Sequence, residues 1–230
     1  MPFLGFNPND STTGASNTIA DTTTIGDGTA EDVQIRFDGN TVDYHLGLDD
    51  SADKLTIGKG SALGTTTSLA FDADGIISKP LLPFVHAYNT ANDNNLAHNT
   101  DHTVEMDADF FDQNADFNNT NDVFTAPVTG TYFLQTEQRT DNADKDNLYM
   151  AYAIVTSNRN YEHRMALSDA ALTDDHQNVT SQTVACVADM DAGDTAYPAM
   201  YTRGSTDSAV ASGAFNSGLK AFHMFGYLIG

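Results

Sequence analysis

The sequence predicts an all-β protein: an antiparallel sandwich head preceded by a short β-stalk and an extended N-terminal arm. Three observations carry that prediction. Apolar residues recur at alternate positions in short runs, and Gly, Asp, Asn and Pro turn signals separate the runs. Helix signals are nearly lacking: of 32 acidic residues only Glu31, Glu105, Glu137 and Glu162 are glutamate. The others are Asp, which favours turns and caps over helix interiors. Finally, 13 Phe and 9 Tyr in 230 residues are enough for a sizeable core, although Trp is absent.

Residues 1–30 are dominated by Asn, Asp, Ser, Thr and Gly behind a short apolar tip, Pro2-Phe3-Leu4-Gly5-Phe6. Such a segment buries too little apolar surface to order itself. It reads as an attachment arm whose Phe3, Leu4 and Phe6 grip a larger assembly. Residues 1–20 carry no Lys or Arg and no apolar h-region, so a signal peptide is not expected. No run approaches the roughly 20 apolar residues of a membrane span, so membrane insertion is not expected either.

Residues 31–79 read as the stalk. Val33, Ile35 and Phe37 alternate, then Tyr44, Leu46 and Leu48, then Leu55 and Ile57, then Leu69 and Phe71. Asp38-Gly39-Asn40, Asp49-Asp50-Ser51, Gly58-Lys59-Gly60 and Asp74-Gly75 lie between and after them, which predicts a four-stranded meander. A segment this small cannot hold a core alone without disulfides, and copies of itself about an axis are the simplest cover. Its texture is similar to β-stalk segments of bacteriophage fibre and spike proteins. The following stretch, residues 76–83 with Pro80 and Pro83, reads as a stiff linker.

Residues 80–230 read as the head. Strand-like runs fall at 84–88, 104–111, 124–138, 148–156, 180–190, 196–202 and 219–229, with one short helical turn at 165–172. That count suits a sandwich. Tyr132, Leu134 and Thr136 alternate with Phe133, Gln135 and Glu137, giving a core face and a wetter one. In 148–155 both faces are apolar or small, and a subunit interface is the natural outer cover. The closing strand shows the same doubling.

The segment from Met106 to Thr136 resembles the head signature of the complement first-component q family. Asp112, Phe117, Phe124, Gly130 and Tyr132 keep every spacing of that signature. Met106 replaces its first aromatic, and Leu134 and Thr136 its last two. Ala192-Gly193-Asp194 resembles the family's turn before its penultimate long strands, and Phe225-Gly226-Tyr227-Leu228-Ile229 its closing strand. The resemblance covers about 145 residues, all in the head. It implies a trimeric jelly roll related to tumour necrosis factor, with Phe117, Phe124, Tyr132, Tyr152, Phe225 and Tyr227 in its core or trimer contacts.

Several constellations carry a chemical reading beside a bland one. Asp141, Asp144 and Asp146, or Asp189, Asp191 and Asp194, offer hard oxygens suited to calcium, as some members of the family bind it. Neither group has EF-hand spacing, and solvated loops explain both. His98 and His102 flank Asp101 in a polar loop rather than on a helix, against the zinc reading. Asp107 and Asp109 share a strand face, as a carboxylate pair for glycoside hydrolysis would, but in so acidic a chain such pairs arise by chance. Cys186, the one cysteine, sits in an apolar run and reads as a small core residue. No phosphate loop, nucleophile elbow or HExxH motif is present, so an enzyme is not expected. Ten Lys and Arg in a chain of net charge −22 argue against nucleic-acid binding.

These readings converge on a virion structural protein: a homotrimeric tail or capsid fibre or spike at the virion surface. Its arm would hold other virion proteins, and its head would contact a host polysaccharide or protein receptor through loops 89–99, 114–121, 158–163 and 204–216. Alternatives are a capsid decoration protein without a receptor role and a lectin-like binding module.

Overall fold

The computed structural model describes residues 22–91, 96–97, 99–141, 147–166, 180–204, 210–211, 214–215, 219–220 and 222–230. The chain forms two compact units, Met1–Ser78 and Lys79–Gly230, each considered by itself.

The first unit is one antiparallel sheet of β1 (Val33–Phe37), β2 (Tyr44–Asp49), β3 (Lys54–Lys59), β4 (Thr67–Phe71) and β5 (Ile77–Ser78), in chain order. A 3-10 turn, Asp50–Ala52, joins β2 to β3. The Asp49 carboxylate accepts the Ala52 N–H, and Asp53 closes the turn at φ 52°. Asp tolerates that left-handed geometry through its short polar side chain. The fifth strand corrects the linker expectation for Ile77 and Ser78. The edge of β4 pairs Ala70 with Ser78 and Phe71 with Ile77. Asp72 holds the turn that makes this possible, its carboxylate accepting the N–H groups of Asp74 and Ile76.

The register of this sheet has an unusual consequence. Val33 faces Leu48, Ile35 faces Leu46 and Phe37 faces Tyr44. Leu46 faces Ile57 in turn, Leu55 faces Phe71, and Phe71 faces Ile77. With a side-chain period of two, all of these residues share one face. The opposite face carries His45, Gly47, Thr56, Gly58 and Ala70, and it is this small-residue face that is buried. A Cβ on Gly58 would lie 2.5 Å from the Thr66 carbonyl oxygen and 2.6 Å from His45 Nε2. The backbone therefore closes tightly over the small face, and the apolar face is left outward.

The second unit is a jelly roll. Its strands are β6 (Phe84–Tyr88), β7 (Asp101–Thr103), β8 (Ala108–Asp112), β9 (Phe117–Asn118), β10 (Val123–Thr125), β11 (Gly130–Asp141) and β12 (Asn147–Thr156). Then follow β13 (Asn160–Ala166), β14 (Thr180–Met190), β15 (Thr195–Gly204), β16 (Val210–Ala211), β17 (Ala214–Phe215), β18 (Leu219–Lys220) and β19 (His223–Leu228). One sheet runs β14-β11-β19-β6-β8, with β16 also on β11, and the other β13-β12-β15-β10-β9, with β7 on β15. The chain passes from β6 to β10, back to β11, over to β12 and β13, back to β14, over to β15 and home to β19. That alternation between two antiparallel sheets defines the fold.

Several expected boundaries move. The run 124–138 is two strands in different sheets, because Pro127 lacks the N–H a continuous ladder needs. In 104–111 only residues from Ala108 onward pair, while Val104 and Met106 leave the ladder and fill the core. Residues 158–163 were expected as a loop and 165–172 as a helical turn. Instead β13 occupies Asn160–Ala166, with Met165 opposite Met150; residues 167–172 lie outside the described set.

The core lies between the sheets. Val85, Tyr132, Leu134, Val184 and Met224 face Phe124, Met150, Tyr152, Ile154 and Met200. Tyr132 packs edge-on to Phe124 at 5.6 Å between ring centroids and donates its hydroxyl to the Val128 carbonyl at 2.7 Å. One region of the core is polar. The Tyr152 hydroxyl lies 2.6 Å from Thr180 Oγ1 and 3.2 Å from Thr140 Oγ1, and burial pushes its pKa up. Buried hydroxyls paired in this way avoid a desolvation cost of about 1–3 kcal/mol.

Candidate functional site: an aromatic face on the head

In the β14-β11-β19-β6-β8 sheet, the residues between the core positions form the outer face. Val85, Ala87 and Met224 point inward; Phe84, His86, Tyr88, Phe225 and Tyr227 point outward. The ladder sets Phe225 opposite His86 and Tyr227 opposite Phe84, while Phe133 on β11 faces Tyr227. A bulge between His86 and Ala87 in the β6–β8 pairing brings both Phe110 and Phe111 to this face. His86 is the hub, with ring centroids 4.8 Å from Phe110, 5.7 Å from Phe111, 5.3 Å from His223 and 6.1 Å from Phe225. Phe133 continues the cluster at 5.7 Å from Phe225 and 5.5 Å from Tyr227.

This face is partly wet and partly shielded. Phe110 remains 53% exposed, whereas His86 Nε2 is shut away with no hydrogen-bond partner among the described residues. Burial, then the neighbouring His223, lowers the His86 pKa. His223 Nε2 lies 3.7 Å from Glu137. Toward β14 the face changes character, with Thr183, Ala185 and Val187 aligned beside Glu137, Gln135 and Phe133. An aromatic half beside a small and polar half is the composition of an interface core with its rim.

Of the residues singled out from the sequence, Phe117, Phe124, Tyr132 and Tyr152 belong to the core of one chain, while Phe225 and Tyr227 lie on the outer face. At β12, the other strand for which a subunit cover is expected, Ala151 and Ala153 are buried within the chain, while Tyr149 and Val155 are half-buried. Ala151 and Ala153 are small enough for their neighbours to bury them, and Tyr201 and Arg164 flank Ala151 in the ladder. The Arg164 guanidinium lies 5.1 Å from the Tyr149 ring. Leu148, at the bulge in β12, is outward and exposed.

The Asp189, Asp191 and Asp194 carboxylates, offered for calcium by the sequence, lie at the turn between β14 and β15. Asp194 Oδ2 accepts the Asp191 N–H at 2.9 Å and the Asn158 amide at 2.8 Å, and Asp191 accepts the Thr129 hydroxyl. Gly193 at φ 95° completes that turn. These carboxylates serve as turn acceptors, and no group of three or more His, Cys, Asp or Glu among the described residues is placed to hold a metal. The side chain of Asp141, together with Asp144 and Asp146, lies outside the described residues, as do Phe3, Leu4, Phe6 and His98. His102 bonds the Ala97 carbonyl at 2.7 Å. Asp107 accepts the backbone and hydroxyl of Thr90, and Asp109 the Asn119 amide, so the two do not form a catalytic pair. Burial pushes the Cys186 thiol up to about 11, which makes it an inert core residue.

Sequence reasoning missed Phe84, His86, Phe110 and Phe111. The alternation Phe84, His86, Tyr88 was the available signal for β6, but the β8 bulge that adds both phenylalanines has no such signature. The Asp112 carboxylate, which sits on the spacing of the resemblance, accepts the N–H groups of Asp116 and Phe117 and fixes the turn into β9.

No family model matches the chain, and no curated protein matches it either. Solved structures are similar in part. The globular domain of zebrafish complement 1qA protein is 14% identical with a TM-score of 0.41, covering 65% of this chain and 98% of its own. Murine APRIL, in a crystal structure at pH 5.0, is 12% identical with a TM-score of 0.44, covering 64% of this chain and 99% of its own.

Proposed function

We propose that this chain is the subunit of a homotrimeric fibre or spike at a virion surface, whose jelly-roll head contacts the host cell. One observation carries the assembly half of this reading: the continuous aromatic face around His86 on the outer surface of the head. Aromatic residues clustered on a sheet face, with a partnerless buried imidazole nitrogen in their midst, favour burial against another subunit. The resemblance of the head to trimeric jelly rolls supplies the number three. The recognition half is supported by the polar loops of the head and by the polar arm that precedes the first sheet.

The test has two stages. Sedimentation equilibrium of the full chain yields three times the 24.7 kDa chain mass. A stable monomer of the same fold overturns the trimer. The purified trimer then competes with intact particles for adsorption to host cells, as three weak sites acting together allow. A folded trimer that does not compete assigns the protein to capsid decoration instead.

A further inference from the structure

The sheet of the first unit is built inside out. Its buried face is lined by His45, Thr56, Ala70 and two glycines, and its apolar face is open. On that open face Phe37 is 60% exposed, Ile77 57% and Tyr44 54%, and Ile35, Leu48, Leu55 and Ile57 are exposed as well. With Ile25, these residues present roughly 700–800 Å² of apolar surface, against a few hundred on a typical monomer and about 800 per partner in a stable protein interface. We infer that this face is a second self-association surface, covered by the same face of other copies of this chain.

Three properties of the face select that occupant. It carries no carboxylate, although the chain has a net charge of −22; Lys59, opposite Tyr44, is the charged residue in its rows. Copies of so acidic a chain repel one another elsewhere, so a face without carboxylates is where they can meet. One apolar row, Val33-Leu48-Leu55-Phe71-Ile77, runs across all five strands, and a second, Ile35-Leu46-Ile57-Leu69, across four, so like rows of two copies can lie against each other. The arm that precedes the sheet in the chain, residues 1–21, offers Phe3, Leu4, Phe6 and Ile19 as its large apolar side chains other than Met1. Four such residues cannot cover eight, and the Asn, Asp, Ser and Thr between them would lie unsatisfied on hydrocarbon. The inference takes only the number of copies from the trimer reading; the contact itself rests on this face.

Single cysteines test it in the full chain, where the native Cys186 is buried and inert. Ile35→Cys and Ile57→Cys place thiols on the open face from two different strands, and Lys54→Cys places one on the opposite side. Circular dichroism checks that each variant is folded. The expected result is that both face thiols react with a bulky charged maleimide at least about tenfold more slowly than Cys at position 54, because reactivity follows access. A short bis-maleimide then links them into covalent dimers, the largest product that one reactive thiol per chain allows. Equal reactivity at all three positions overturns the inference, and the mass of the unmodified protein shows separately whether the head still trimerises. Face thiols that become reactive only when residues 2–21 are deleted, in a protein with an unchanged number of subunits, overturn it in favour of the arm as cover.

Discussion

The two units of this chain solve the same problem in opposite ways. The head buries large side chains between two sheets and keeps its aromatic surplus on one outer face. The first unit buries glycine, alanine and threonine and turns its large side chains out. Both begin from the same alternation of apolar and polar residues. The difference is the second layer: β11 has β12 and its neighbours to pack on, whereas β1 to β5 have no second sheet among the described residues of their unit. A single sheet of about five strands cannot enclose a core, so its apolar face must find a cover elsewhere. Stability in the head is accordingly a property of the chain. On the self-association inferred above, stability in the first unit becomes a property of the assembly and depends on concentration.

Core truncation gives the largest expected contrast. Phe124→Ala, at a fully buried position against Tyr132, destabilises the head by about 3–5 kcal/mol in chemical denaturation. Leu46→Ala, in the middle of the first sheet's apolar face, shifts a midpoint that itself moves with protein concentration. A concentration-independent midpoint for Leu46→Ala breaks the comparison.

A second variant probes the outer face of the head. Phe225→Asp puts a charge between His86 and Phe133 without touching the core. The expected outcome is a sedimenting mass below that of wild type with an unchanged far-UV spectrum. Retention of the wild-type mass removes this face from the assembly.

Acid provides a smaller effect with a definite sign. Burial and His223 lower the His86 pKa below its ordinary value of 6.5. The unfolded chain therefore binds the proton more readily than the folded one. This contribution to stability is full above about pH 6.5 and is lost as pH falls through that value toward the folded pKa. Urea midpoints measured between pH 8 and pH 5 decline over that window in wild type, and less in His86→Phe. Identical slopes for the two proteins count against the buried imidazole as the cause.

The smallest predicted effect is Tyr152→Phe. It removes the hydroxyl shared with Thr140 and Thr180 while keeping the ring, at a cost of about 1 kcal/mol in the urea midpoint analysis. A loss several times larger would mark the polar part of the core as a cooperative network.

The sequence alone determined the alternation in β6, β11, β12, β14 and β15, because a period of two is a local property. It also determined the turns at Asp49 to Asp53 and at Asp191 to Asp194, where Asp and Gly satisfy the backbone nearby. Only the tertiary structure decided which face is buried where both faces lack a polar marker. In β11 the polar Gln135 and Glu137 already mark the wetter face, but in β1 to β5 the larger side chains lost the interior to glycine. The bulge that gathers Phe110 and Phe111 around His86, and the use of Asp194 as acceptor for both Asp191 and Asn158, were likewise decided by register and long-range contacts. Those depend on where distant strands pair, as β19 does with β6 and β11, and no window of neighbouring residues contains that information.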